Sequence, residues 1–159
     1  MCELLAMSSS QPARLTFSLR TLASRGGLAG NTHDGWGVAF YQGKDVALFR
    51  EPAAAGDSAL VRYLESQGPS TNLAISHIRR ATHGAVQLSN TQPFARELGG
   101  RTHVFAHNGH LPGIVNSAVL ALGPYVRLER LTPSMPSARC WRACACCGKK
   151  PVRRRWKRA

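Results

Sequence analysis

The sequence changes character after Tyr125, and no single packed unit suits both sides of that change. Residues 1–125 carry 10 Lys/Arg against 7 Asp/Glu, a net of +3. Residues 126–159 carry 11 Lys/Arg against Glu129 alone, a net of +10. Four of the five cysteines, Cys140, Cys144, Cys146 and Cys147, also fall in the second stretch. The formal +13 of this 159-residue chain is therefore local and does not mark the whole chain as a nucleic-acid binder. Hydrophobic residues make up 43%, enough for a packed core, and the length suits one domain. No apolar run approaches the ~20 residues of a membrane-spanning helix. The N-terminus lacks the basic-then-apolar pattern of a secretory signal, so a cytoplasmic location with reduced thiols is expected.

Residues 1–125 read as a layered α+β or α/β domain. Met1 to Met7 is a short apolar strand candidate, and Ser10 is placed to cap a helix over Leu15–Ser24 with Leu15, Leu19 and Leu22 on one face. Gly26-Gly27 and Gly30 interrupt the chain. Gly35 to Tyr41 predicts a strand, Gln42-Gly43-Lys44-Asp45 a hairpin turn, and Val46–Arg50 the return strand. Asp57 or Ser58 caps a second helix whose Leu60, Val61 and Leu64 face inward. Leu73–Ile78 and Thr102–Ala106 are further strands.

Cys2 is the first residue with a chemical claim. Initiator methionine is normally removed before a small second residue, which would leave a thiol and a free α-amine on one residue. The amine titrates near about 7.7–8.0, so it can act as a base at neutral pH beside the most nucleophilic ordinary side chain. Taken alone, such a cysteine reads as a small buried hydrophobe. Four segments change that reading: Arg25-Gly26-Gly27 followed by His33-Asp34-Gly35-Trp36-Gly37; Ser76-His77-Ile78-Arg79-Arg80-Ala81-Thr82-His83-Gly84; Asn90-Thr91-Gln92-Pro93-Phe94; and Phe105-Ala106-His107-Asn108-Gly109.

Together with Met1-Cys2-Glu3-Leu4-Leu5, this order and spacing resemble the class II glutamine amidotransferases, in particular their small stand-alone bacterial subgroup. The resemblance covers about residues 1–125 and implies part of a four-layer αββα N-terminal-nucleophile hydrolase fold. It implies glutamine as substrate and no cofactor or metal. Cys2 would attack the side-chain amide carbon to form a thioester, and its amine would pass the proton to departing ammonia. The Asn108 side chain and the Gly109 N–H would form the oxyanion hole, aimed where charge develops. Arg79 would bind the glutamine α-carboxylate, which a guanidinium can grip bidentately. Thr82 and His83 would line the same pocket. Gln92 stands where relatives often carry His, and His110 where they vary.

Each residue also has a plain reading. Arg79-Arg80 alone suits a solvated basic pair, and Asn108-Gly109 alone suits a tight turn. His77, His103 and His107 alternate with apolar residues and read as packed or hydrogen-bonded strand histidines. His33, His83 and His110 lack paired zinc-ligand spacing.

In the resemblance, the family continues through a Leu-Gly-x-Tyr-Arg-Pro stretch into a Thr-Asp-Ser-Glu stretch whose Asp binds the glutamine α-amino group. Leu122-Gly123-Pro124-Tyr125 keeps the beginning, and Val126 onward departs. Back-translation of Tyr125 to Cys140 with a one-base shift permits Arg-Pro-Val-Gly-Ala-Thr-Asp-Ser-Glu. The expectation is a one-base deletion after the Tyr125 codon, in the gene or in its sequencing, leaving residues 126–159 as a disordered tail of out-of-frame, Arg/Ala/Pro/Cys-rich sequence and the chain truncated, inactive or misfolded. The tail's C-x3-C-x-C-C spacing lacks the C-x2-C pairs of a zinc ribbon. Its basic run from Lys149 to Arg158 would bind phosphates only non-specifically. Two rivals stand beside the leading reading: another N-terminal-nucleophile amidohydrolase, and a non-enzymatic protein that binds nucleic acid through the tail. A partner subunit or acceptor that takes the ammonia is compatible with the sequence.

Overall fold

Period-two alternation assigns the two faces of the central sheet, and everything else is laid against one face or the other. The computed structural model describes residues 2–27, 32–82, 84–97 and 99–109. In order they form β1 (Glu3–Ala13), α1 (Phe17–Arg25), β2 (Trp36–Gln42), β3 (Asp45–Glu51), α2 (Ala59–Gln67), β4 (Thr71–Ile78), β5 (Phe94–Glu97) and β6 (Thr102–Phe105). The first four strands make one antiparallel sheet in the order β1-β4-β2-β3, and β5 pairs with β6. The class is α+β, consistent with part of an αββα stack.

On one face, Trp36, Val38 and Phe40 of β2 lie opposite Ile78, Ser76 and Ala74 of β4. The apolar residues of this face pack against Leu19, Leu22 and Ala23 of α1 and Val61 and Leu64 of α2, with Leu5, Met7 and Leu60 at the margin. Both helices bury their period-3.6 stripe here, as the sequence predicts. Ser76, the polar member of that face, donates to the Gly37 carbonyl at 2.9 Å.

The other face carries Leu4 and Ala6 of β1, Ile75 and His77 of β4, and Gly37 and Ala39 of β2. Its β2–β3 end is tied to β6: Thr102 N donates to Lys44 O at 2.8 Å, and Val104 N to the Tyr41 hydroxyl at 3.1 Å. The β2–β3 hairpin turns through Gly43-Lys44 with φ +65° at Gly43 alone, as a type II′ turn requires.

Ser58 caps α2, accepting from Val61 N at 3.2 Å. Its hydroxyl also donates to Glu51, whose same carboxylate oxygen accepts from Trp36 Nε1 at 2.8 Å. One acid thus joins the helix start, the edge strand and the core tryptophan. The expected cap at Ser10 is not observed. β1 runs on to Ala13 because β4 offers pairing as far as Thr71, with a register shift between Ser8 and Ala13, and Asn72 Nδ2 donates to Ser9 O at 3.1 Å. α1 then starts after Thr16 without a side-chain cap. Gly30, the Leu122–Tyr125 stretch and the whole 126–159 tail lie outside the described residues.

Ser58→Ala removes both the cap and a donor to Glu51, and should lower stability by about 1–3 kcal/mol. Urea unfolding followed by circular dichroism reads this as a reduced midpoint with an unchanged slope.

Candidate active site

The antiparallel β1–β4 register carries the start of the chain to the end of β4. Glu3 pairs with Ile78, so Cys2 falls opposite the residues that follow β4. Its thiol accepts from Arg80 N at 3.3 Å and lies 3.5 Å from Arg80 O. Arg79 is 7% exposed. Burial pulls its guanidinium below the usual arginine range, and the electrostatic influence of Asp34 and then Cys2 opposes that shift. Cys2 and Arg79 therefore share one electrostatic neighbourhood.

Asp34-Gly35 fixes this end of β4. Asp34 N donates to Arg79 O at 3.3 Å, and Arg79 N donates to Gly35 O at 2.7 Å. The Asp34 carboxylate accepts from Ala81 N at 2.6 Å. Gly35 sits at φ +130°, where a Cβ would also come within 2.8 Å of Thr91 Oγ1, so glycine is required twice over. The Arg79 guanidinium donates to Asp34 O at 3.3 Å, Ala85 O at 3.2 Å and Gly84 O at 3.2 Å. In this conformation it organises the loop that follows it. Thr82 lies exposed in that loop, and His83 falls outside the described residues.

A second group of residues lies two positions back along the same face of β4. His77 is fully buried and neither ring nitrogen meets a hydrogen-bond partner among the described residues. Desolvation lowers its pKa to about 4; the charges of His107 and Arg79 push the same way, and the Asn108 side chain and His107 backbone push back. The 107–108 segment is therefore a close neighbour of His77. Asn108 and Gly109 are exposed, and Gly109 has φ +107°, the left-handed region that favours glycine. Cys2 with Arg79, and Asn108 with His107, thus border one strand face at positions about two residues apart, ~7 Å along a strand.

Residues 90–93 form the wall between them and β3. Asn90 Nδ2 donates to Ala85 O at 2.8 Å, and Arg50 Nη1 to Thr91 O at 2.9 Å. The Gln92 carbonyl lies over Gly37, where a Cβ would stand 2.5 Å from it. The Gln92 side chain bonds the backbone of His107 at two points, donating to His107 O at 3.2 Å and accepting from His107 N at 2.6 Å. The sequence placed Gln92 in a recognisable segment but gave no sign of this contact. The expected hydrogen-bonded or packed state holds for His77, as packing, and for His107, whose ring lies 5.4 Å from Phe105. His103 is exposed on β6 because it falls on the outward side of the β5–β6 pair. Among the described residues no three His, Cys, Asp or Glu gather as a metal site. No helix among them is long and apolar enough to cross a membrane.

The family model for class II glutamine amidotransferases matches residues 1–125. The chain belongs to that family. The match ends at Tyr125, where the composition changes. A candidate glutamine amidotransferase of Escherichia coli K12, YafJ, is 42% identical over 113 residues, covering 71% of this chain and 44% of its own. A Haemophilus influenzae protein, also a candidate glutamine amidotransferase, is 40% identical over 114 residues, covering 72% and 39%. A crystal structure of a Pseudomonas aeruginosa protein described in the same terms is 43% identical, with a TM-score of 0.44 and coverage of 69% of this chain and 44% of that one. The chain thus spans less than half the length of each of these relatives.

His77 folds with a pKa below its unfolded value, so the unfolded chain binds the proton more readily. Its neutral burial supports stability above the unfolded pKa of about 6.5, and that support falls away as pH drops towards 4. The loss is on the order of 3 kcal/mol by pH 4. His77→Gln should flatten this part of the stability curve, measured by urea midpoints at half-unit pH steps between 7 and 4.

Proposed function

We propose that the family part of this chain holds the nucleophile, oxyanion and carboxylate-binding elements of a glutamine-hydrolysing site. The observation that carries the reading is the convergence on one face of β4 of Cys2 beside Arg79 and of Asn108 beside His77. Once Met1 is removed, the Cys2 amine takes the thiol proton while sulfur attacks the amide carbon of glutamine. The oxygen of the resulting tetrahedral species faces the Asn108 amide and the Gly109 N–H. The C–N bond then breaks, ammonia leaves with the proton held on the amine, and a thioester remains. Water hydrolyses the thioester to glutamate and restores the thiol. For the α-carboxylate to reach Arg79, it takes over guanidinium hydrogens now spent on the Gly84 and Ala85 carbonyls, and Thr82 and His83 are the proposed lining of the same pocket. Ammonia is either released or passed to an acceptor on another chain.

The 159-residue chain itself turns over glutamine slowly or not at all. Two acids at this end of the sheet are already engaged, Asp34 with Ala81 N and Glu3 with Arg25 at 2.9 Å. The Thr-Asp-Ser-Glu stretch that would meet the substrate ammonium is readable after Tyr125 only in the shifted frame. An unpaired charge at a closed site costs about 2–5 kcal/mol of binding. The gene read in the shifted frame after the Tyr125 codon should give Arg-Pro and then Thr-Asp-Ser-Glu; a shifted frame that stops or lacks that stretch rejects that origin.

Intact mass after exposure to the diazoketone analogue of glutamine (diazo-oxo-norleucine) tests the site. The Cys2 sulfur bonds to the diazo carbon, dinitrogen leaves and the thiol proton passes to that carbon. The expected product lacks Met1 and carries one adduct, on Cys2, that Cys2→Ala abolishes. A Met1-free chain that stays unlabelled while its thiols react with iodoacetamide sinks the reading.

A further inference from the structure

The two-point contact between Gln92 and His107 has the geometry of a strand pairing, but one partner is a side chain. A primary amide presents a donor and an acceptor side by side, and here they meet the carbonyl and the N–H of one residue, at 3.2 and 2.6 Å. Both groups belong to the residue just before Asn108. β6 ends at Phe105, so His107 lies beyond the ladder that holds the strand. The clamp supplies the hydrogen bonds that the ladder no longer does.

Gln92 is itself held from several sides. It is 8% exposed, the neighbouring Thr91 is fully buried, and Arg50 donates to the Thr91 carbonyl at 2.9 Å. Its own carbonyl rests on Gly37 of β2, at the one place where the sheet lacks a Cβ to block the approach. The amide thus carries the position of the central sheet to the residue that precedes Asn108-Gly109. His77 of β4 is fully buried, and neither of its ring nitrogens takes a hydrogen bond among the described residues, so Gln92 is the side chain seen to hold the His107 peptide.

We infer that Gln92 is the positioning residue of the oxyanion hole: its side-chain amide fixes the His107 peptide so that the Asn108 side chain and Gly109 N–H face Cys2. This rests on the glutaminase reading above. Gln92 touches no reacting atom, and its effect falls on the transition state rather than on substrate binding.

The test uses the full chain and two readouts. Gln92→Met keeps the side-chain volume and removes both hydrogen bonds. Hydrogen exchange, read on peptides spanning 104–109, should quicken about tenfold or more at the His107 amide, while β2 and β4 keep their protection. The γ-aldehyde analogue of glutamate adds the Cys2 thiol across its C=O: the S–C bond forms, and the proton goes to the oxygen that occupies the oxyanion hole. Its affinity should fall about 10- to 100-fold, while glutamate, which makes no tetrahedral adduct, binds Gln92→Met and the parent chain equally. Should Gln92→Met not fold, Gln92→Glu keeps the acceptor for the His107 N–H and should keep that amide protected while losing aldehyde affinity. Unchanged exchange in Gln92→Met overturns the inference, as does faster exchange with unchanged aldehyde affinity. A parent chain that binds no aldehyde at all overturns the glutaminase reading instead, and the exchange measurement then decides the clamp alone.

Discussion

The double register of β4 is the constraint on which the rest depends. Ile78 pairs with Glu3 on one side and Trp36 on the other, and His77 pairs with Leu4 and Gly37. A slip of one residue on either side would exchange the faces. It would carry Arg79 and His77 into the helix-packed core and bring Ile78 and Ser76 out. The apolar stripe that buries Trp36, Val38 and Phe40 therefore also decides where the cysteine and the arginine meet. Packing on one face of the sheet sets which side chains gather on the other.

Much of the fold was legible because its signals are local. The Gly43-Lys44 hairpin, the Ser58 cap and the inward Val61 and Leu64 each follow from a few adjacent residues, and each is found as expected. Ser10 misled because a good capping residue is only an offer. The neighbouring β4 supplied a competing partner for that backbone, which no local pattern reveals. β5 was not foreseen either. Phe94–Glu97 is four residues long, and its alternation is too short to stand out.

The site was legible in a different way. Residue types at set spacings single out Cys2, Arg79, Asn108 and Gly109 as candidates only through a family resemblance, and what holds is the family membership. What spacing could not supply was how those residues are held. Asp34 reaches across 47 positions to Ala81, and Gln92 grips His107 from 15 away. Such contacts depend on the approach of two chain segments, and the approach depends on the whole sheet. The guanidinium of Arg79 makes the same point: its type suggests a carboxylate ligand, yet its present partners include its own loop carbonyls.

Gly37 gathers these threads in a single missing atom. Any Cβ there would meet the Gln92 carbonyl at 2.5 Å, Arg50 Cγ at 2.7 Å and the Phe49 carbonyl at 3.0 Å. Every one-base change that replaces a glycine codon with another amino acid adds at least that carbon. The codon is thus closed to missense drift: each step away from it wedges the 90–93 wall off the sheet. Relief would require the Arg50 side chain and the backbone at Phe49 and Gln92 to move together.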